Sequence, residues 1–214
     1  TIAALENADV ILLVGSDLRR EAQLVNTRIQ KAVRKRGAKV FAIGPETDLT
    51  YKVEWLGDDL GALAKAPKAL ADSLKTAERP AIIVGGGALR YEGLHGAALA
   101  FAKKYKLIRD GWNGFNVLHF AAARMGGLML GYAYEGGIKA LAAKKPRLAF
   151  FLGADEVDYG LFKNSFKVYV GHHGDNGAAH ADVILPGAAY SAKSGTWVSL
   201  EGRVERGVRA RMKK

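Results

Sequence analysis

The chain has 214 residues, 49% of them hydrophobic and 25% charged, with 32 Lys and Arg against 21 Asp and Glu for a formal charge of +11. That composition is ordinary for a soluble globular protein, and the length suffices for one large or two small domains with a real core. Without a single cysteine, the chain can form no disulfide and supply no thiolate to an iron–sulfur cluster, and no uninterrupted apolar run reaches the ~18 residues that a membrane span requires.

The opening residues Thr1 to Glu6 are neither a signal peptide nor an initiator methionine, so the chain is expected to be a piece of a longer one. Val10 to Val14 is a continuous apolar run, the pattern of a parallel strand covered on both faces. It ends at Gly15-Ser16-Asp17, where Ser16 or Asp17 can cap a helix. In that helix Ala22, Val25, Ile29, Ala32 and Val33 recur at helical spacing, with the basic residues mostly opposite, and Gly37 ends it. A second strand, Lys39 to Gly44, completes a βαβ unit whose crossover should be right-handed. Residues 48–59 read as an irregular connection packed on the sheet through Tyr51 and Trp55, and a helix is expected over about 60–74. The polar stretch before Pro80 is the expected boundary between a first Rossmann-like half, residues 1–78, and a second α/β half, residues 79–214.

The second half repeats this logic with strand Ala81 to Val84, the turn Gly85-Gly86-Gly87 and a helix over about 92–105. Residues 115–130 are mostly apolar and small, and are expected to form a close-packed helix that Gly126 and Gly127 weaken or end. A short helix, Gly137 to Ala143, precedes a buried strand, Leu148 to Leu152, which ends at Gly153-Ala154-Asp155-Glu156; Val168 to Val170 is a further strand. The chain then converges on residues 171–207. Val183, Ile184 and Leu185 show no polar alternation and predict a strand covered on both faces, which Pro186 stops because it has no N–H. The β-formers around Glu201-Gly202 predict two short extended pieces joined by a turn there, followed by a basic C-terminal tail. Strands alternating with helices at this spacing predict an open, mostly parallel α/β sheet in Rossmann-like halves.

Three turns, at Gly15, Gly85 and Gly153, can cradle a phosphate through free N–H groups and the helix dipole. None is a full dinucleotide fingerprint: after Gly85 and Gly87, position 90 is Arg90 rather than glycine or alanine. Tight turning alone accounts for these glycines. His172, His173, Asp175, His180 and Asp182 are the one cluster with metal-ligand chemistry; adjacent histidines in an extended segment should point to opposite sides, so a structural role is expected of them. No Gly-x-Ser-x-Gly or cysteine nucleophile exists, and no catalytic residue is assigned. The basic residues are dispersed, from Arg19, Arg20, Arg28, Lys31, Arg34, Lys35 and Arg36 to the tail after Arg203, with no aromatic-laced motif, so no nucleic-acid partner is expected.

The pattern Ala181-Asp182-Val183-Ile184-Leu185-Pro186, then Lys193, Gly195-Thr196 and Glu201-Gly202-Arg203, resembles the signature late in the catalytic domain of molybdopterin oxidoreductases, the formate dehydrogenase and DMSO reductase type. The runs Gly171-His172-His173-Gly174-Asp175 and Leu185-Pro186-Gly187-Ala188-Ala189-Tyr190 resemble one branch in particular, the large iron–sulfur subunit of NADH-quinone oxidoreductases, respiratory complex I. The resemblance implies the same α/β fold. It also implies a membrane-associated assembly passing electrons from NADH through flavin and iron–sulfur clusters to quinone. The 2Fe-2S and 4Fe-4S clusters would be ligated N-terminal to the matched part, so no cofactor and no metal is expected in this chain. Other peripheral-arm subunits are the implied partners, without membrane insertion, on the cytoplasmic face of a bacterial inner membrane or the matrix face of a mitochondrial one. Docking onto acidic neighbours would account for the basic excess.

In working molybdopterin enzymes the turns resembling the first and third of these commonly end in asparagine and help hold the dinucleotide form of the cofactor. Here Asp17 and Asp155 stand at those positions, and Ser199 stands where relatives usually have asparagine. Gly15, Asp17, Gly153, Asp155 and Ser199 are therefore candidates for a degenerate pterin site. A carboxylate beside a phosphate adds like-charge repulsion to the cost of desolvating both, which favours a retained scaffold with a lost cofactor site. An active molybdopterin oxidoreductase and a basic binding module are the competing readings.

Overall fold

In the computed structural model, which describes residues 1–121 and 124–210, the apolar run Val10–Val14 forms β1, buried at every position. Gly15, at φ +54°, turns the chain into a short helix α1, Leu18–Glu21, and then α2, Gln23–Arg36. Gly37, in the left-handed conformation at φ +69°, closes α2 through N–H bonds to Ala32 and Val33, as a C-terminal glycine should. The chain returns as β2, Lys39–Ile43, parallel to β1.

Beside β2 lies the two-residue β3, Glu54–Trp55. The single helix expected over 60–74 is instead a 3₁₀ turn, Leu60–Leu63, followed by α3, Lys68–Thr76. Pro67 stands at the break, since a proline disfavours helical backbone in the residue before it and has no N–H to continue one. β4, Pro80–Val84, then joins the other side of β1 in parallel register, Val10 opposite Pro80 and Val14 opposite Val84. α4, Leu94–Lys104, a hairpin of β5 (Ile108–Arg109) and β6 (Trp112–Asn113), and β7, Phe115–Val117, follow.

The helix expected over 115–130 is corrected here: Phe115–Val117 is a strand hydrogen-bonded to β4, and among the described residues of that stretch only α5, Arg124–Met129, is helical. The sheet order is β3-β2-β1-β4-β7. Alternate residues of its strands feed two cores. Leu12, Phe41 and Ile82 pack with Leu70, Leu74, Ala98 and Phe101 of α3 and α4. Ile11, Val40 and Ile83 pack with Val25, Ile29 and Ala32 of α2. Each of the Leu, Ile, Val and Phe side chains among these, fully buried, contributes ~1.5–3 kcal/mol relative to exposure.

Strands β1 and β2, before residue 78, and β4 and β7, after it, share one sheet, and the compact units are Thr1–Ala122 and Ala123–Lys214. In the second unit α6, Gly137–Ala143, precedes β8, Leu148–Leu152; β9, Phe166–Gly171, α7, Asn176–His180, and β10, Val183–Pro186, follow. The three strands are parallel in the order β10-β9-β8. One face is covered: Phe151 and Tyr169 pack with Ala142 of α6, Ala178 of α7, and Tyr159 and Phe162 of an intervening 3₁₀ turn.

The other face corrects the expectation of strands buried on both sides. Leu148, Phe150 and Leu152 are 51%, 58% and 65% exposed, and Val183, Ile184 and Leu185 of the edge strand β10 are 38%, 53% and 45% exposed. For Leu148, Phe150, Leu152, Val183 and Leu185 the physical reason is the layering, since α6, the 3₁₀ turn and α7 all contribute to the core on the Phe151 and Tyr169 side; Ile184, in register with Tyr169, is on that side but stands on the edge strand. An antiparallel ribbon, β11 (Gly195–Val198) and β12 (Val204–Gly207), ends the described chain. Its turn has Gly202 at φ +80°, a conformation that a β-branched residue resists. The basic tail expected at the C-terminus lies partly outside the described residues.

Candidate functional site

The carboxyl ends of β1, β2 and β4 meet where the strand order of the first sheet reverses, the place at which open α/β sheets bind ligands. The turns there touch backbone to backbone. A Cβ on Gly15 would come within 2.7 Å of that of Ala88, one on Gly44 within 3.3 Å of the Gly15 Cα, and one on Gly85 would overlap the Gly15 carbonyl oxygen and Ser16. Close approach therefore requires these glycines, beyond the tight turning that the sequence suggested. The Gly15 and Gly85 amides are spent in the sheet, on Ile43 and Val14 carbonyls.

A cavity of about 400 Å³ opens at this junction. Asp17, Glu21 and Asp58 bring three carboxylates to its lining, which among the described residues includes no lysine or arginine, in a chain whose net charge is +11. Trp55 and Tyr91 supply aromatic wall. The Ser16 and Thr47 hydroxyl oxygens are buried there without a hydrogen-bond partner among the described residues.

Asp17 is not the residue that meets the free amides. Its carboxylate lies 3.6 Å from Arg20. Glu21 turns back instead, its Oε1 accepting from the Asp17 N–H at 2.8 Å and its Oε2 from the Gly86 N–H at 3.2 Å. One carboxylate thus bridges the β1 and β4 turns. Sequence reasoning missed this residue, which stands four positions after the N-cap Asp17, one beyond the spacing of a capping box.

In the second unit Gly153 sits at φ +59°, its N–H bonded to the Val170 carbonyl. Asp155 is again internal: its Oδ1 accepts from the Gly177 N–H at 2.9 Å, within the first turn of α7, and its Oδ2 from the Tyr169 hydroxyl at 2.8 Å. That hydrogen bond, followed by burial, pushes the Tyr169 phenol up to about 12. Ser199 closes its own hairpin, its Oγ accepting from the Arg203 N–H at 3.2 Å. The structure thus brings Gly15 and Asp17 to one cavity and Gly153 and Asp155 to one turn, while Ser199 serves the β11–β12 turn.

The histidine cluster is dispersed into local contacts. His180 stacks on Tyr159 at 5.2 Å, and its Nδ1 lies 2.9 Å from the Asn176 carbonyl. Asp182 accepts from the Lys167 N–H at 2.7 Å and pairs with its ammonium at 3.0 Å, which holds the carboxyl below the usual range, the backbone bond being the larger cause. His172 and His173 do not point to opposite sides: their rings meet edge to face at 4.3 Å, because β9 ends at Gly171 and the pair lies in a bend rather than an extended segment.

The described residues do not fit a phosphate-bearing pterin cofactor. The two amides best placed for an anion already hold Glu21, and Asp17 and Asp58 would add repulsion in the same cavity.

Comparison with known proteins gives a single direction. The model of the molybdopterin oxidoreductase family matches residues 1–213. The G subunit of NADH-quinone oxidoreductase from Rickettsia bellii is 43% identical over 209 residues, 95% of this chain and 30% of that protein. The mitochondrial NADH-ubiquinone oxidoreductase 78 kDa subunit of Neurospora crassa is 40% identical over 216 residues, 96% of this chain and 28% of that protein. Its counterpart in Candida albicans is 41% identical over 211 residues, covering 96% and 29%. The chain thus spans about 30% of the length of the relatives it matches.

Proposed function

From the premise that the chain belongs to the molybdopterin oxidoreductase family, we propose that it is part of the G subunit of an NADH-quinone oxidoreductase and serves that enzyme as architecture and as a docking surface for other subunits. The identity to bacterial G subunits and mitochondrial 78 kDa subunits across 95% of the chain supports the assignment to that assembly. Electrons would pass from NADH to quinone through iron–sulfur clusters held elsewhere in the full-length protein, since this chain has no thiolate to ligate one. The assembly would place the chain in a peripheral arm at the cytoplasmic face of a bacterial inner membrane or the matrix face of a mitochondrial one. Among the described residues no helix is long and apolar enough to cross a membrane.

The observation that carries the non-catalytic reading is the use of Glu21 and Asp155 as internal hydrogen-bond acceptors at the two turns where the family resemblance would put cofactor contacts. Gly15, Asp17, Gly153, Asp155 and Ser199 are on this reading remnants of a pterin site put to structural use. The test is a set of variants in the complete enzyme, with assembly followed on native gels and NADH oxidation measured with an artificial acceptor and with quinone. Substitutions of Ser16, Thr47, His172, His173 and Arg203 should change turnover only in proportion to the assembled complex. Full assembly with lost turnover would overturn the reading.

A further inference from the structure

We propose that Glu21 is a built-in anion, which occupies the phosphate position between the β1 and β4 turns and bars phosphate-bearing ligands from the adjoining cavity. The inference rests on the reading of a lost cofactor site and identifies the residue that keeps it closed. Backbone amides that converge from two turns at a switch point attract an anion. Here the Asp17 and Gly86 amides, 69 residues apart, converge on the two oxygens of one carboxylate. Hydrogen bonds to an ionised acceptor are about twice as strong as neutral ones. A phosphate entering this position would have to displace Glu21 and leave its charge beside Asp17 and Asp58, with no lysine or arginine among the described lining residues to offset it.

The geometry also gives Glu21 a structural task. It spans 65 residues to reach Gly86, and it ties together turns whose glycines leave no room between them. Removing the carboxylate should therefore loosen the junction and expose two amides at once. A small polyanion should then do from outside what Glu21 does from inside.

The experiment uses the 214-residue chain with inorganic pyrophosphate as the probe, read by calorimetry, by amide chemical shifts and by thermal unfolding. The wild type should show no saturable binding at millimolar pyrophosphate. Glu21→Ala should bind it at least about tenfold more tightly, with shift changes centred on the Asp17 and Gly86 amides and a midpoint that pyrophosphate raises. Glu21→Gln, which keeps a carbonyl acceptor without the charge, should fall between the two and carries the test if Glu21→Ala does not fold. Binding by the wild type as tight as by the variants, or folded variants with neither a gain in binding nor a change at Gly86, would overturn the proposal. The structural role proposed for the chain is judged by turnover of the assembled enzyme, so either idea can fail without the other.

Discussion

At the scale of single residues, the chain spends its special chemistry on holding turns. Gly85 is the clearest case, because a Cβ there would overlap both the Gly15 carbonyl oxygen and Ser16. Backbone cannot yield as the end of a flexible side chain can, so Gly85→Ala should destabilise the first unit by about 1–3 kcal/mol, the usual cost of overpacking. Urea unfolding would measure it, and an unchanged midpoint would show that the turns can part freely. Tyr169 makes a prediction in pH. Its phenol titrates at about 12 in the folded chain, first because it donates to Asp155 and then because it is buried, against ~10 in an unfolded chain. A raised folded value means that the stabilisation is whole below ~10 and is lost as pH rises through about 12. Asp155→Asn removes the leading cause, so stability between those pH values should fall less steeply in the variant than in the wild type. Equal slopes in alkaline unfolding curves would remove Asp155 from the account.

At the scale of elements, burial separates strands whose sequences look alike. Ile83 in β4 and Ile184 in β10 both sit in unbroken apolar runs, yet Ile83 is 0% exposed and Ile184 is 53% exposed. Ile83→Asp would bury an unpaired carboxylate between the sheet and α2, at a cost of several kcal/mol, comparable to the whole stability of a domain. Ile184→Asp in this chain should cost about 1 kcal/mol or less, as surface changes do. Comparing the two midpoints by circular dichroism checks the difference, and a large loss at Ile184 would mean that β10 is covered in solution. The same pair shows what was legible in the sequence. Apolar runs gave β1, β2, β4, β8, β9 and β10 as strands, and Glu201-Gly202 gave the turn of the β11–β12 ribbon. Periodicity says that a face is apolar and not that anything covers it, so β8 and β10 look as buried in the sequence as β1 does. The Phe115–Val117 strand is hidden in a small apolar stretch, where short strands and buried helix look the same. At the candidate site the glycine turns and the acids at positions 17 and 155 were readable. Glu21 was not, because its role depends on Gly86, which only the pairing of β1 with β4 brings near.

At the scale of the whole molecule, the two compact units differ in how completely they bury themselves. The first has a five-stranded sheet with a helical layer and a hydrophobic core on each face. The second has three parallel strands with one covered face, and Leu148, Phe150, Leu152 and Phe166 lie more than half exposed. A contiguous apolar face left open to water favours association, as does an unpaired strand edge. Expressed separately, residues 1–121 should therefore unfold in one cooperative thermal transition and remain monomeric. Residues 124–214 should bind a hydrophobic dye and self-associate on size-exclusion chromatography. Replacing Phe150 and Leu152 together with lysine should reduce both dye binding and association without unfolding the piece, since the core around Phe151 and Tyr169 lies on the opposite face. A monomeric, dye-negative second piece would show that the apolar face is closed by the unit's own residues. Failure of residues 1–121 to fold would show that the first sheet depends on sequence beyond its own two cores.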